Sequence, residues 1–382
     1  MRIQQHVKTA TGSAFQIVHA ASGAERAAQL ALAFGSPSAL QDPRTWAQLQ
    51  ALHPEARIVG CSTAGEIAGT HVFDESVVVT AISFRTSRAE LASVLLSEES
   101  DGVSLGRLLA ARIPAAGLVH VLVLSDGLKV NGSSLVEGLV GALPAGVSVT
   151  GGLSGDGARF ERTAVCLDGA EPHEQVVGIG LYGSDLLVGY GSLGGWDSFG
   201  PERRITKSSG NILYELDGEP ALELYKRYLG EHASGLPASG LLFPLTIRSS
   251  AGDHTPVVRT ILAVDEAARS LTFAGDVPVG YRARLMRANF ERLVDGASGA
   301  ATSSLQGLRD GHSELAILIS CVGRKLVLKQ RVEDELEAVR EVLGENAVMA
   351  GFYSYGEISP FTRLSRCELH NQTMTITTLS ES

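Results

Sequence analysis

Three glycine-rich loops carry the residues of this chain that are best suited to binding chemistry. Each loop follows an apolar run and ends in Gly-Glu or Gly-Asp, and the three pairs are Gly65-Glu66, Gly155-Asp156 and Gly356-Glu357. A carboxylate can hold an ammonium group, and backbone amides that glycine leaves accessible can hold a carboxylate. The loops therefore predict a site for a small zwitterion.

The predicted ligand-binding residues lie mostly on these loops, where short hydroxyl side chains accompany the carboxylates. Trp196, in a glycine-rich loop, is predicted to stack on a ligand, to form a lid, or to fill the surface between domains. Arg259, in a strand-like run, is predicted to pair with a ligand carboxylate or with a structural one. For any single loop carboxylate, capping a helix or bracing a turn is the alternative. The full set is Cys61, Ser62, Thr63, Gly65, Glu66, Gly151, Gly152, Ser154, Asp156, Trp196, Arg259, Tyr353, Ser354, Gly356, Glu357 and Asn371.

Catalysis is the competing use of the same residues. Cys61 next to Ser62 has the type of a nucleophile, but no His or Asp stands at the spacing of a triad, which favours a buried structural thiol. Glu66 and Glu357 would suit acid-base work if the fold brought them together. The sequence predicts a protein that is not an enzyme.

The elements around the loops repeat as strand, helix and strand. The predicted ranges are 14–19, 24–34 and 56–59 in the first copy, 119–124, 133–143 and 147–149 in the second, and 315–320, 332–343 and 347–349 in the third. Closing strands are predicted at 76–83, 175–182 and 373–379. Apolar strands of this kind are usually covered by helices on both faces. Ligands in such folds bind beyond the carboxyl ends of the strands, where the loops would lie.

The second and third copies share a Phe-x-Arg-x-x-x-Cys pattern, which runs from Phe160 to Cys166 and from Phe361 through Arg363 to Cys367. The shared 201-residue offset indicates internal duplication. The equivalent positions of Cys166 and Cys367 favour core packing over metal ligation.

A different region separates these two copies. It contains a predicted loop at 191–201, strands at 204–206 and 212–216, a helix at 221–229 between Pro220 and Gly230, and strand-like runs at 241–243, 257–264 and 270–273. The prediction is an α/β protein of two related domains built from duplicated strand-helix-strand units, with mixed sheets and an antiparallel patch. The domains are predicted at 1–220 and 221–382.

Net charge, apolar runs and cysteine spacing exclude several kinds of binding partner and site. The formal net charge of −10 argues against nucleic acid, whose binding domains carry a basic face. The N-terminus lacks a signal-peptide core and no run of about eighteen apolar residues occurs, so we expect a cytoplasmic protein without membrane insertion. The four cysteines have no spacing typical of a metal site or a redox pair.

Five segments together resemble the FIST sensory proteins. They are residues 60–67, residues 149–156, residues 211–225 and the pair formed by residues 356–358 and 370–373. The resemblance implies a FIST N-like part to residue 220 and a FIST C-like part beyond it. It also implies small-ligand sensing in bacterial signal transduction, with an amino acid or related metabolite as ligand. The output would pass to a separate protein, such as a histidine kinase or a cyclic-dinucleotide enzyme.

One branch of the family implies an alternative, a haem-binding nitric-oxide sensor. Histidine is the commonest proximal haem ligand, and His370, in Leu-His-Asn-Gln, is the candidate. Hydrogen bonding within a turn is the other explanation for this histidine. No Cys-x-x-Cys-His motif is present, so haem would be held non-covalently.

Overall fold

Three mixed six-stranded sheets form most of the protein, and a fourth, eight-stranded antiparallel sheet is inserted within the third repeat. The computed structural model describes residues 1–20, 26–97, 101–169, 174–249, 256–309, 311–361 and 365–382. The α/β class, the mixed sheets and the antiparallel patch are thereby confirmed. No helix among the described residues is long and apolar enough to span a membrane.

The first repeat builds its sheet around a parallel pair. Its elements are β1 (Arg2–Lys8), β2 (Gln16–His19), β3 (Leu30–Gly35), α1 (Pro37–Leu40), α2 (Pro43–Leu52), β4 (Arg57–Ser62), β5 (Glu66–Ala68), β6 (His71–Phe73) and β7 (Val77–Ser83). Strand β3 pairs in parallel with β4, and β7 closes antiparallel against β3.

The helix predicted at 24–34 is wrong where the structure describes it. Every residue of β3 is buried, so this apolar run is the central strand of its sheet and not a helix lying on it. The crossover helix is α2, which begins after Asp42, whose side chain accepts a hydrogen bond from the amide of Arg44. Residues 24–25 lie outside the described residues.

The second repeat follows the prediction closely. Its elements are β8 (Arg88–Leu95), α3 (Gly102–Arg112), β9 (Leu118–Ser125), α4 (Gly132–Ala142), β10 (Ser148–Leu153), β11 (Val165–Leu167) and β12 (Gln175–Tyr182). Helix α4 begins directly after Asn131, whose side chain accepts hydrogen bonds from the amides of Ser133 and Ser134. Strands β9 and β10 are parallel, and β12 closes antiparallel against β9.

The inserted sheet contains strands that the sequence predicted as loop. The elements are β13 (Leu186–Leu193), which belongs to the third repeat, then β14 (Trp196–Ser209), β15 (Ile212–Leu216), β16 (Glu219–Pro220), α5 (Ala221–Leu229), β17 (Leu245–Arg248), β18 (Val257–Arg259), β19 (Ile261–Asp265), β20 (Ser270–Phe273) and β21 (Arg282–Ala288). The predicted loop at 191–201 is wrong, because Trp196 and Phe199 lie on β14 and pair with β21. The predicted strand at 241–243 is also wrong, since Ala238–Leu242 is a 3₁₀ helix. The predicted domain boundary falls between β16 and α5, inside this sheet.

The third repeat has the same core as the other two. Its elements are α6 (Phe290–Leu305), β22 (Leu315–Cys321), α7 (Val322–Leu328), α8 (Val332–Leu343), β23 (Val348–Ser354), β24 (Gly356–Pro360), β25 (Cys367–His370) and β26 (Met374–Glu381). Strands β22 and β23 are parallel and β26 closes antiparallel against β22. Arg363 of the recurring cysteine pattern lies outside the described residues.

The three repeats exchange strands in a closed cycle. After its glycine loop, the first repeat sends β5 to pair with β23 of the third, the second sends β11 to β4 of the first, and the third sends β24 to β10 of the second. A shared core fills the space between the sheets, where the rings of Phe34 and Phe352 lie 4.7 Å apart. No repeat can therefore complete its sheet alone.

Candidate functional site

The three glycine loops meet at one end of this cycle of sheets. We call residues 62–66, 152–157 and 353–357 the loop cluster. The amide of Ala64 donates to the carbonyl of Tyr353 at 2.8 Å, and the amide of Gly155 donates to the carbonyl of Ser62 at 2.8 Å. The amide of Tyr355 donates to the carbonyl of Leu153 at 3.2 Å. The loops therefore hold one another in place through their backbones.

Glu66 and Glu357 make the same contacts in the first and third loops. In each, one carboxylate oxygen accepts from a hydroxyl three residues earlier, and the other accepts from the amide and hydroxyl at the start of the closing strand. The donors are Thr63 and Ser76 for Glu66, and Ser354 and Thr373 for Glu357. Burial, opposed by these hydrogen bonds, raises the pKa of Glu66 to about 7 and that of Glu357 to about 8.

Asp156, in the second loop, makes different contacts. Its carboxylate accepts hydrogen bonds from the amides of Phe160, Glu161 and Arg162 at 2.8–3.0 Å, and from the hydroxyl of Tyr355. The ring of Tyr355 also stacks on Phe160, with centroids 4.3 Å apart. This carboxylate braces the turn that leads to β11.

The loop cluster is closed to ligands in this structure. Glu66, Asp156 and Glu357 are at most 1% exposed. The cluster lines none of four cavities in the described chain, which hold about 570, 200, 630 and 370 Å³. The predicted residues found in or beside the cluster are Cys61, Ser62, Thr63, Gly65, Glu66, Gly151, Gly152, Ser154, Asp156, Tyr353, Ser354, Gly356 and Glu357, and all are buried.

Trp196 and Asn371 are also buried away from the cavities. The Trp196 indole donates to the carbonyl of Gln372 at 2.9 Å, which ties β14 to the third repeat. The side chain of Asn371 lies between the amide of Thr260 and the carbonyl of Tyr355. Both residues connect the inserted sheet to the body of the protein.

Arg259 is the predicted residue that reaches a cavity. A cleft of about 570 Å³ lies between α4 of the second repeat, β17 and β18 of the inserted sheet, and β25 of the third repeat, and Arg259 is part of its wall. Its size is typical of small-molecule sites. The cleft spans the predicted boundary, with α4 on one side and β18 on the other.

The guanidinium of Arg259 is buried without an ion pair. Arg259 is only 6% exposed to solvent. Nε donates to the carbonyl of Asp276 at 2.9 Å, and Nη1 donates to the carbonyls of Leu369 at 3.0 Å and Val258 at 3.3 Å. Among the described residues it forms no ion pair with a carboxylate within 4.0 Å. Burial lowers the pKa of Arg259 to about 10, opposed by Glu368 and Asp276, so the group remains a cation at neutral pH.

Ser133, on the first turn of α4, approaches Arg259 from the other side of the cleft. A Cβ at position 275 would lie 2.9 Å from the Ser133 hydroxyl and 3.1 Å from Arg259 Nε. Because position 275 is glycine, the hydroxyl and the guanidinium can both pack close to its Cα, in space that a side chain would need. The Ser133 hydroxyl also accepts the amide of Asp276 at 3.4 Å. The Ser133 hydroxyl and the Arg259 guanidinium therefore lie near each other on the wall of the cleft, and both are groups that hydrogen-bond to carboxylates.

Two carboxylates line the outer part of the cleft. Glu137 is exposed on α4 and Glu368 is half-buried on β25. The rim residue Arg248 is already occupied, because Nε and Nη2 contact the carboxylate of Glu202 at 2.7 and 2.9 Å. The cleft therefore has a buried positive group, and its mouth carries both signs of charge, since Arg366 is exposed at the same rim.

Sequence reasoning missed Ser133, Glu137 and Glu368 as site residues. Ser133 carries one local signal, since it directly follows the start of a capped helix. Nothing in the local sequence marks Glu137 or Glu368, because the cleft forms from segments more than a hundred residues apart.

His370 does not fit as a haem ligand in this structure. Its ring is fully buried, Nε2 hydrogen-bonds with the carbonyl of Ser359 at 2.6 Å, and Phe361 packs against it with centroids 4.0 Å apart. Burial lowers the pKa of His370 to about 4. None of the 570 Å³ cleft's lining residues is a histidine, and burial raises the pKa of Cys367, which disfavours a thiolate ligand there. Nor do the described residues gather three or more His, Cys, Asp or Glu side chains into a metal site.

Comparison with protein families matches most of the chain. The FIST N domain matches residues 29–219 and the FIST C domain matches residues 221–360. An uncharacterized protein of Methanocaldococcus jannaschii is 25% identical over 210 residues, which cover 50% of this chain and 38% of that protein. An uncharacterized protein of Mycobacterium tuberculosis is 24% identical over 323 residues, which cover 82% of each chain.

Among solved structures, a cyanuric acid hydrolase from A. caulinodans is similar at 10% identity and a TM-score of 0.19. That match covers 77% of this chain and 99% of the hydrolase. At this score the likeness supports no conclusion about chemistry.

Proposed function

We propose that this chain, which belongs to the FIST family, senses a small carboxylate ligand in the cleft between α4 and the inserted sheet. FIST domains are generally sensory domains of signal-transduction proteins. The observation that carries the proposal is the buried Arg259, which lines a cleft and has no ion pair with a described residue. A ligand carboxylate would make a direct ion pair with Arg259, which neither Glu368 nor Asp276 makes although both act on its charge.

An amino acid or a related metabolite suits the charges of the cleft. Its carboxylate would bind between the guanidinium of Arg259 and the hydroxyl of Ser133. Its ammonium would face Glu368, which lies on β25 next to Leu369, or Glu137 on α4. Because the carboxylate group is desolvated against a buried cation, its hydrogen bonds are charge-assisted and stronger than those at the surface.

Ligand binding would join two parts of the chain. Asn131 and Ser133, at the start of α4, already contact Asp276 of the inserted region. A ligand that touches both α4 and β18 favours the arrangement in which they are close, and this is how a ligand shifts a conformational equilibrium. We propose that a separate cytoplasmic protein, such as a histidine kinase or a cyclic-dinucleotide enzyme, detects the change.

The contacts of the loop carboxylates support a role without catalysis. Both carboxyl oxygens of Glu66 and of Glu357 accept hydrogen bonds from hydroxyl or amide groups, and neither residue lines any of the four cavities given above. A general acid or base must reach the proton that it transfers. These two groups serve the packing of the loops.

Isothermal titration calorimetry with amino acids and other metabolites tests the proposal. We expect binding to the native protein, and a loss on the order of thirtyfold or more in Arg259→Gln, from the ~2–5 kcal/mol cost of removing one partner of a desolvated charge pair. Arg366→Gln is the matched control, because this arginine lies exposed at the rim of the same cleft. Arg259→Lys keeps the positive charge, and a melting curve of each variant shows whether the protein still folds. Together they distinguish lost binding from lost folding. Binding unaffected by folded Arg259→Gln would refute the site.

A further inference from the structure

We propose that the ligand of this cleft is an α-amino acid with a large apolar side chain. The inference rests on the proposed function, since it takes Arg259 as the carboxylate anchor. It narrows the ligand from any carboxylate metabolite to one class.

The wall around Arg259 is apolar. Val136, Ile247, Val257 and Leu369 line the cleft and are between 1% and 6% exposed. Val140, one turn further along α4, is 39% exposed and extends this surface toward solvent. An apolar side chain placed here would cover surface that water otherwise contacts.

A second carboxylate on the ligand would find no strong ion-pair partner in the cleft to offset its lost hydration. Arg248 is held by Glu202 through two contacts, so it is not available to a second ligand carboxylate. Arg366 and Glu137 are exposed, and ion pairs at such positions are weak because water screens them. A ligand side chain that carries a carboxylate would therefore lose hydration against apolar walls without gaining an interaction of equal strength.

The size of the cleft favours a large side chain. Its volume is about 570 Å³, which is many times the ~30 Å³ that one water molecule occupies in the liquid. Alanine would leave most of that space to solvent. Leucine and phenylalanine fill more of it and, beyond their shared backbone, bury more carbon.

Calorimetric titration with L-phenylalanine, L-leucine, L-alanine and L-glutamate tests the inference. We expect L-leucine to bind on the order of fiftyfold more tightly than L-alanine, from about fourfold per buried CH₂ group. We expect L-glutamate to bind no better than L-alanine. In Val140→Gln, affinity for L-phenylalanine should fall about fivefold, whereas the control Leu108→Gln, exposed on α3 outside the cleft, should leave it unchanged.

The outcomes separate the two proposals. Binding of L-glutamate or L-alanine as tight as that of L-leucine, lost in Arg259→Gln, would overturn the apolar class and keep the site. Equal effects of Val140→Gln and Leu108→Gln would also overturn the apolar class. Binding of none of the four probes would count against the amino acid class and against the proposed function.

Discussion

The loop cluster and the cleft use the same kinds of residues in opposite ways. In the loop cluster, Glu66 and Glu357 are buried and each accepts hydrogen bonds from neighbouring hydroxyls and an amide. In the cleft, Arg259 is equally buried, but its partners are neutral carbonyls, and open space lies beside it. Buried carboxyl groups whose hydrogen bonds are satisfied by their surroundings stabilise a fold, whereas a buried cation that makes no direct ion pair and lies beside a cavity suits an anionic ligand.

The motif that recurs in the sequence has a structural role and not a ligand-binding one in this account. The Gly-Glu and Gly-Asp loops repeat because all three repeats must pass a chain from a parallel strand to a strand in another sheet. The cleft occurs where the inserted sheet meets α4, and the insertion belongs to one repeat alone. The feature that occurs once is therefore the better candidate for a specific function.

The largest expected effect is loss of stability from Glu357→Ala. The substitution would leave the hydroxyls of Ser354 and Thr373 and the amide of Thr373 without their acceptor in a buried site. We expect a decrease of about 3–5 kcal/mol in the free energy of unfolding, measured by urea denaturation, at ~1–3 kcal/mol per unsatisfied group. Glu357→Gln keeps an acceptor and should lose less than about half as much. Equal losses would show that the hydrogen bonds are not what holds this loop.

A smaller effect separates the two regions directly. Glu66→Gln keeps the shape and most of the hydrogen bonds of the loop cluster, so we expect amino acid affinity to stay within about twofold. Arg259→Gln should weaken it by about 2 kcal/mol or more. Calorimetry on both variants measures the contrast, and a reversed ranking would move the ligand to the loop cluster.

The pH dependence of stability should report the loop cluster. The folded-state pKa of Glu66 is raised to about 7 and that of Glu357 to about 8, so between about pH 4.5 and these values the folded state holds protons that the unfolded chain releases. Their contribution is present below the unfolded pKa and is lost as pH rises through the folded pKa, at up to ~1.4 kcal/mol per pH unit for each group. Urea titrations from pH 5 to 8 should show a shallower fall for the Glu66→Gln and Glu357→Gln double variant than for the native protein.

The smallest expected effect comes from the hydroxyl of Ser133. Ser133→Ala removes one hydroxyl that would contact the ligand carboxylate, and we expect about fivefold weaker binding, since a net hydrogen bond contributes ~1 kcal/mol. Ser134→Ala is the control, since its side chain does not line the cleft. Equal affinities of the two variants would remove Ser133 from the site.

The local sequence pattern predicted helices and strands well where that pattern is compatible with only one kind of element. Residues 118–125, 132–142 and 148–153 form the expected strand, helix and strand. Residues 30–35 did not follow the prediction because an alanine- and leucine-rich run suits either a buried helix or a central strand, and its neighbours in the sheet decide. The same is true of residues 196–199, where pairing with β21 overrides a turn-rich sequence.

The exchange of strands could not be read from the sequence. Strand β5 pairs with β23 across more than 280 residues, and no local signal specifies such a partner. The same limit applies to the cleft. Arg259 was predicted as a partner for a ligand carboxylate or a structural one, but its setting depends on α4 and β25, which only the folded chain brings together.

A crystal structure of the protein soaked with L-phenylalanine tests the central claim most directly. We predict a ligand between α4 and β18, with its carboxylate within hydrogen-bonding distance of the Arg259 guanidinium and its ring against Val136 and Ile247. A ligand bound at the loop cluster, with Glu66 or Glu357 turned toward its ammonium group, would contradict the account.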